Sequence, residues 1–157
     1  MALRNIVTDE DPLLRKVSRA VGTPNDRIRA LLDDMIDTLA EAEGVGLAAP
    51  QVGILRRIFI INVGIEEGRD EIVEFIDPVI LETSGEQDGA EGCLSVPGRQ
   101  GSVKRPNKVT VEATDRNGNR FTYTGEGLMA RCLCHENDHL DGILYVDKAY
   151  EMDDDEE

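Results

Sequence analysis

The sequence predicts an α+β fold in which mostly antiparallel strands surround a central C-terminal helix, with a second helix near the N-terminus. Three observations lead to this class. An early segment repeats apolar residues at helical spacing, the middle of the chain holds several short β-branched runs, and a late helical segment carries an H-E-x-x-H motif from His135 to His139. No internal repeat or linker composition divides the 157 residues, so we expect a single domain over residues 1–150.

The N-terminal helix is predicted from a stripe of apolar residues that begins at Ile28 and continues through Leu32, Met35 and Leu39. We expect this helix to span residues 25–42 and to end at the glycines that follow. Residues 44–51, Gly-Val-Gly-Leu-Ala-Ala-Pro-Gln, are too rich in glycine and small side chains for a regular element. We therefore expect a loop there, in which another backbone can come close.

Four strands are predicted from β-branched or alternating patterns, at residues 57–63, 72–81, 108–114 and 120–124. Pro78 is expected to interrupt the second strand, because proline cannot donate a hydrogen bond to a β-ladder. Asn117 and Gly118, between the last two strands, are typical of a type I′ hairpin turn. The final predicted element is a helix over residues 127–140, which carries both histidines of the chain.

Charge and composition exclude several classes of partner. The net charge of −15 repels nucleic acid and anionic membranes, so we expect the general surface to bind neither. Six of the last seven residues are acidic, and we expect residues 151–157 to form a solvated, frayed tail. No stretch of about 18 apolar residues occurs. The three cysteines are few and odd in number, which does not suit a disulfide framework. The chain is therefore expected to be a cytoplasmic protein with reduced thiols.

The H-E-x-x-H motif predicts a metal site. Four residues along a helix correspond to about 400° of rotation and a rise of ~6 Å, so His135 and His139 project in nearly the same direction and can share one ion. Glu136 then lies beside the ion without binding it, which suits a group that accepts a proton from activated water. The alternative is a polar helix surface with two histidines by chance; it is disfavoured because the motif uses every histidine of the chain.

A catalytic metal centre usually takes three protein ligands, so a third must be found. Cys132 shares the helical face of the histidines but lies ~10 Å along the axis from His139, too far for a short side chain to bind beside both imidazoles. Cys134 points elsewhere and is interpreted as a packing residue. Cys93 is the preferred third ligand, because it lies in a glycine-adjacent turn that could present a thiolate; its alternative role is a small buried hydrophobic residue.

Three segments resemble the peptide deformylases in content, order and spacing. They are residues 44–51, the run Glu91-Gly92-Cys93-Leu94-Ser95, and the run from His135 to Leu140. Weaker similarity around residues 12–15 and 142–145 extends the likeness over nearly the whole chain. The resemblance implies removal of the N-formyl group from the formyl-methionine that begins nascent peptides, with release of formate.

The resemblance also assigns roles to individual positions. It places the metal ligands at Cys93, His135 and His139 and the general acid/base at Glu136. It implies that the Gln51 side-chain amide and the Leu94 backbone N–H donate hydrogen bonds to the developing oxyanion. It also implies that Gly46 and Val45 contact an extended substrate. One divalent ion is implied, Fe²⁺ by resemblance, and Zn²⁺, Ni²⁺ or Co²⁺ suit the same ligands.

Two positions depart from the family pattern. Cys134 stands where a glutamine commonly precedes the first metal histidine, and the chain after Lys148 is short and acidic where some members carry a longer helix implicated in ribosome contact. A transient contact with the ribosome is expected from the resemblance. The short acidic tail is not expected to mediate it. Arg105 and Arg131 are candidate anchors for a substrate carboxylate or phosphate, but exposed arginines are usually solvated or paired, and neither is assigned a role.

Two other functions are compatible with parts of the pattern. A zinc peptidase also uses an H-E-x-x-H helix, but its third ligand is typically a downstream glutamate or histidine and not an upstream cysteine. A structural zinc site usually has four protein ligands, whereas this chain offers three and a carboxylate placed for chemistry.

Overall fold

The computed structural model describes residues 2–154 and has the predicted α+β class, with two α-helices and eight strands in the described range. The helices are α1 (Asp26–Ala42) and α2 (Leu128–Leu140). The strands are β1 (Gly46–Ala48), β2 (Ile58–Asn62), β3 (Ile72–Ser84), β4 (Gln87–Cys93), β5 (Val96–Arg105), β6 (Lys108–Thr114), β7 (Arg120–Glu126) and β8 (Glu151–Asp154).

The strands form two sheets whose neighbours are all antiparallel. The larger sheet has five strands in the order β1-β2-β3-β6-β7, and the smaller has three in the order β4-β5-β8. The expectation of mostly antiparallel strands is therefore confirmed. No helix in the described range is both long and apolar enough to cross a membrane.

Helix α1 follows its predicted course. It begins at Asn25, whose side-chain oxygen accepts a hydrogen bond from the backbone N–H of Ile28 (3.0 Å), the expected cap for an exposed first turn. It ends at Glu43, which adopts a left-handed backbone conformation with φ of 57°. The apolar stripe of the helix, centred on Leu32 and Met35, packs against buried residues of β1 and β2.

Helix α2 lies at the centre of the molecule. Its inner residues, among them Ala130 and Leu133, share one apolar core with Phe59 and Phe75 of the larger sheet. The helix also contacts β5 of the smaller sheet, so both sheets meet along it. Because nine of its thirteen residues are buried, polar side chains on this helix need protein or metal partners.

Two of three local expectations are wrong. Residues 44–51 are not an irregular loop: they contain β1 and the start of a 3₁₀ turn over Ala49–Val52. The expected interruption at Pro78 is present as a register shift between Ile76 and Val79 in the pairing of β3 with β6, although the strand continues to Ser84. The β6–β7 turn is not type I′, since among its described residues only Gly118 has positive φ. Its loop is held by the Asp115 carboxylate, which accepts hydrogen bonds from two backbone N–H groups.

The smaller sheet was not predicted, and it includes part of the expected tail. Residues Glu151–Asp154 form β8 and pair with β5 instead of fraying. Met152 of β8 packs on a small apolar cluster that contains Tyr145 and Val103. The start of this strongly acidic segment is therefore held by backbone pairing with β5 and by the contact of Met152 with this cluster. The remaining residues of the predicted tail, 155–157, lie outside the described residues.

Candidate metal centre

Three potential metal ligands converge between the two sheets. The donor atoms of Cys93, His135 and His139 all lie within 4.8 Å of one another, and Cys93 Sγ is 3.3 Å from His139 Nε2. No fourth described cysteine, histidine or carboxylate belongs to this group. The structure therefore brings together the three ligands predicted from the sequence and leaves a coordination position open, as in catalytic centres.

Two local structures place these side chains. The histidines are one helical turn apart on α2 and face the same way. Cys93 is the last residue of β4, and only two residues, Leu94 and Ser95, separate it from the start of β5. This tight hairpin presents the sulfur to the helix.

The hydrogen bonds of the imidazoles fit a bound ion. The Nδ1 atom of His135 is 2.9 Å from Oε1 of Glu91, which leaves Nε2 of that ring for a metal. Burial lowers the pKa of His139 well below its ordinary value, which favours the neutral form that binds metals. For His135, burial also acts to lower the pKa, but the hydrogen bonds with Cys93 and Glu91 raise it well above the ordinary value while no ion is bound. A cysteine and two buried imidazoles form a donor set that suits a divalent transition metal, so the residues present fit the ion that the sequence predicts.

Glu136 is buried beside the ligands and is 5% exposed. Burial raises the pKa of its carboxyl to about 7, although the neighbouring His135 acts in the opposite direction. Its Oε1 atom has no hydrogen-bond partner among the described residues. A carboxyl with a pKa near neutrality can both accept and donate a proton at the pH of the cell.

Gly46 makes room for Glu136. A Cβ atom placed on Gly46 would lie 2.8 Å from Oε2 of Glu136 and 3.1 Å from its Cγ. Those distances are shorter than ordinary non-bonded contacts, so only glycine lets β1 approach the carboxyl this closely. Val45 and Gly46 also line the pocket beside the metal ligands.

Gln51 is fixed at both ends of its amide. Its Oε1 accepts a hydrogen bond from the backbone N–H of Ala48 (2.9 Å), and its Nε2 donates to the hydroxyl of Ser95 (3.1 Å) and lies 3.5 Å from Cys93 Sγ. The amide group is therefore oriented with its donors toward the metal ligands. Leu94, next to Cys93 in the hairpin, lines the same pocket.

A buried charge cluster supports the histidines, and its members were not predicted. Glu91 accepts hydrogen bonds from Nε and Nη2 of Arg105 (2.8 and 3.0 Å) and from Nη1 of Arg131 (2.6 Å). Burial alone would raise the pKa of Glu91, but the hydrogen bonds from Arg105 and His135 outweigh it and lower the pKa to about 2. Arg105 also donates to Asp138 (2.9 Å).

The structure decides between the two alternatives given for the arginines. Arg105 and Arg131 are paired with carboxylates, as one alternative had it, but both are buried and not exposed. Glu91 lies two residues before Cys93, but the pairing of β4 with β5 shifts register between them, so strand alternation alone does not place the two side chains on one face. The role of Glu91 therefore follows from the structure and not from its spacing in the sequence.

A pocket of about 340 Å³ opens beside the ligands. It is lined by Leu128, Arg131 and Cys132 of α2 and also by His135 and Glu136. Cys132 is therefore a wall residue, and burial raises the pKa of its thiol to about 12. Cys134 is buried in the core cluster with Leu133, as expected for a packing residue.

Three clustered metal ligands with an open position, a buried carboxylate beside them and an adjoining pocket define a metal-dependent hydrolase on an α+β fold. Comparison with known proteins identifies the family. The polypeptide deformylase family profile matches residues 3–155. The chain belongs to this family.

Individual relatives agree over almost the full length. The chain is 52% identical to the peptide deformylase of Acetivibrio thermocellus over 157 residues, which is all of this chain and 89% of that protein. Among solved structures, a peptide deformylase from Legionella pneumophila superposes with a TM-score of 0.89 at 45% identity, covering 94% of this chain and 86% of the other. A peptide deformylase from Ehrlichia chaffeensis in complex with actinonin gives a TM-score of 0.90 at 39% identity, covering 94% and 89%.

Proposed function

We propose that this chain removes the N-formyl group from the N-terminal formyl-methionine of nascent polypeptides and releases formate and a free amine. The observation that carries this function is the cluster of Cys93, His135 and His139 with Glu136 buried beside it. The assignment of the substrate rests on membership of the family and on the full-length relatives.

In this proposal the thiolate of Cys93 and the two imidazoles hold one divalent ion. When bound, the ion supplies Lewis acidity that makes water a better nucleophile and polarises the formyl carbonyl. Fe²⁺ is the proposed physiological ion on the basis of family membership, and Zn²⁺, Ni²⁺ and Co²⁺ are compatible with the same donors. Glu91 holds His135 in orientation through Nδ1.

Glu136 moves the proton. Its carboxylate accepts a proton from the attacking water and then delivers it to the amine nitrogen as the C–N bond of the formamide breaks. A pKa that burial raises toward neutrality suits both halves of this transfer, because the carboxyl can hold the proton after the first half and release it in the second.

Gln51 and Leu94 stabilise the negative charge that develops on the formyl oxygen. The Gln51 amide is anchored by Ala48 and Ser95, and its second Nε2 hydrogen, which lies toward Cys93 Sγ at 3.5 Å, is the one proposed to reach the oxyanion. The Leu94 backbone N–H, one residue after Cys93 in the hairpin, is the second proposed donor.

The substrate is proposed to lie along Val45 and Gly46. Strand β1 is at the edge of the larger sheet in the described range, so an extended peptide can pair with its backbone. The adjoining pocket then receives the methionine side chain. Its volume of about 340 Å³ and its apolar walls at Leu128 and Val45 match a flexible, uncharged side chain.

A zinc peptidase is the second candidate that the helix motif raised, and the structure disfavours it. The third ligand lies upstream of the histidines, on a strand end at Cys93, and no downstream glutamate or histidine joins the cluster within the described residues. We place the reaction in the cytosol, where nascent chains are formed. The strong negative charge opposes stable contact with nucleic acid or anionic membrane, so any ribosome contact is brief.

The decisive experiment measures formate release from a formyl-Met tripeptide by the metal-loaded wild type and by Glu136→Gln. The variant should keep its metal, measured by elemental analysis, and lose activity by about 10²–10⁴-fold, because it cannot accept the proton. Glu41→Gln, which neutralises an exposed carboxylate on α1, is the matched control and should behave as wild type. Retained activity in Glu136→Gln would contradict the proton-transfer role. Cleavage of internal peptide bonds without formate release would identify a peptidase instead.

A further inference from the structure

The N-terminal segment, residues 4–11, crosses two elements that carry the proposed oxyanion donors. It forms no helix or strand, yet the backbone N–H of Val7 donates to the carbonyl of Gln51 (2.7 Å). Two residues later, the backbone N–H of Asp9 donates to the carbonyl of Ser95 (2.8 Å). The segment therefore ties the 3₁₀ turn that contains Gln51 to the hairpin between β4 and β5.

A second link joins the same two elements through side chains. Gln51 and Ser95 are both buried, and the Ser95 hydroxyl accepts a hydrogen bond from Nε2 of Gln51 (3.1 Å). The N–H of Asp9 therefore holds the backbone of the residue whose side chain holds the Gln51 amide. These contacts form one chain from the N-terminal segment to the group that is proposed to meet the oxyanion.

The N-terminal segment is itself anchored on both sides of these contacts. The Arg4 backbone N–H donates to the Thr38 hydroxyl of α1 (2.9 Å), and the Arg4 guanidinium pairs with Asp34 of the same helix (2.9 Å). Toward the other end, the backbone N–H of Asp11 donates to the carbonyl of Thr8 (3.0 Å) and closes a turn. A segment held at both ends can fix the position of the groups between them, which a loose terminus cannot do.

We propose that the N-terminal segment is a positioning element for the oxyanion donor Gln51, and that it acts through Ser95. This inference rests on the proposed function. A donor stabilises a developing charge best when it is already in place, because moving it during the reaction costs free energy. The two backbone hydrogen bonds fix the Ser95 hydroxyl relative to the Gln51 backbone, and this sets the direction of the Gln51 amide. Neither Val7 nor Asp9 lines the pocket, so the effect falls on the chemical step and not on substrate binding.

The first test compares Asp9→Pro with Asp9→Ala in the metal-loaded protein. Proline removes the N–H that Ser95 accepts, and residue 9 is the second position of the turn from Thr8 to Asp11, where the backbone angle of proline is favoured. Alanine removes the carboxylate and keeps the N–H, so it is the matched control and should behave as wild type.

Formate release from a formyl-Met tripeptide gives kcat and KM for each protein. Asp9→Pro should lower kcat by about tenfold and leave KM within about twofold, because a donor used only in the transition state affects kcat. An unchanged kcat, a loss mainly in KM, or an equal loss in Asp9→Ala would overturn the proposal. No formate from the wild type would instead contradict the proposed function.

The second test is a double-mutant cycle, which separates positioning from a general weakening of the fold. In Gln51→Ala the amide is absent, so adding Asp9→Pro should lower kcat by no more than about twofold further. A further loss of about tenfold would show that the segment acts by another route and would overturn the proposal. If Asp9→Pro does not fold, Ser95→Ala decides, because it cuts the same chain of contacts at the hydroxyl: kcat should fall by about tenfold, and an unchanged kcat would overturn the proposal.

A third measurement needs no turnover. In Zn²⁺-loaded protein, NMR follows the exchange of the Gln51 Nε2 protons with solvent. Exchange should be at least about tenfold faster in Asp9→Pro than in Asp9→Ala, because the amide has lost the fixed position of its acceptor. Equal exchange rates in the two variants would contradict the link from residue 9 to the amide.

Discussion

Gly46 and Glu136 show how one missing side chain shapes the site. The carboxyl of Glu136 is desolvated because the backbone of β1 lies directly against it, and β1 can lie there only because residue 46 has no Cβ. Desolvation in turn raises the pKa of Glu136 to about 7. The acid/base character of the glutamate is thus set by a glycine ninety residues earlier in the chain.

The variant Gly46→Ala should lose most deformylase activity. The added methyl group would lie 2.8 Å from Oε2 of Glu136, so the carboxyl must move away from the ligands. We expect kcat/KM to fall by about 10²-fold, the typical effect of misplacing a catalytic group by ~1 Å. Gly64→Ala is the control, because its Cβ would meet Arg69 and Glu71 at 3.0–3.2 Å, a similar crowding outside the pocket. Equal losses in the two variants would argue against a specific role for residue 46.

Sequence reasoning at the residue scale succeeded where geometry is local. The convergence of His135 and His139 follows from helix geometry alone. Cys93 is only the preferred third ligand on geometry, and the resemblance to the deformylases supports that choice. The structure places all three together. Glu91, Arg105 and Arg131 could not be found in this way, because the burial of a charged residue depends on which elements pack over it.

At the scale of elements, predictions were good where periodicity was clear. Helix α1 and strand β6 have the expected bounds within one residue, since both carry regular apolar patterns. Strands β4 and β5 contain glycines and charged residues and lack an apolar alternation, so no pattern marked them. The acidic start of the tail was misjudged for the same reason: pairing of β8 with β5 depends on backbone hydrogen bonds, which composition does not reveal.

The packing of β8 on β5 can be tested at Gly101. A Cβ atom there would lie 2.5 Å from Sδ of Met152 and 3.0 Å from Cβ of Ala149. Gly101→Ala should therefore destabilise the fold by about 1–3 kcal/mol, the usual cost of overpacking. Adding Met152→Ala should restore part of this loss, because it removes the sulfur that the new methyl group meets.

Chemical denaturation of the two single variants and the double variant measures this coupling. The control is Gly92→Ala on β4, where the nearest atom to an added Cβ is at 3.6 Å and little change in stability is expected. If the effects of Gly101→Ala and Met152→Ala simply add, the two positions are not in contact and the described packing of β8 is wrong.

At the scale of the whole molecule, the predicted metal ligands come from two separate parts of the fold. Cys93 belongs to the β4–β5 hairpin, whereas His135 and His139 belong to the helix packed on the larger sheet. A bound ion therefore joins these two parts of the structure. Because the ion binds the folded state and not the unfolded chain, its binding free energy adds to the free energy of unfolding.

Removal of the metal should lower the melting temperature. At a free metal concentration about 100 times the dissociation constant, the added stability is about 2.7 kcal/mol, which corresponds to roughly 5–10 °C for a chain of this size. Calorimetry of chelated and Ni²⁺-loaded protein measures the shift. Cys93→Ala should lose most of it, because two imidazoles on one helix turn no longer connect the two parts. A full shift in Cys93→Ala would show that the sulfur is not a ligand.

Strand β1 has only three residues, Gly46–Ala48, and forms one end of the larger sheet in the described range. A polypeptide that adds to so short an edge has backbone partners for only its first two or three positions. On the proposed substrate path, everything further along the incoming chain would remain in solvent. The brevity of this strand would then leave most of a substrate's sequence without contact, as a processing step shared by many different nascent chains requires.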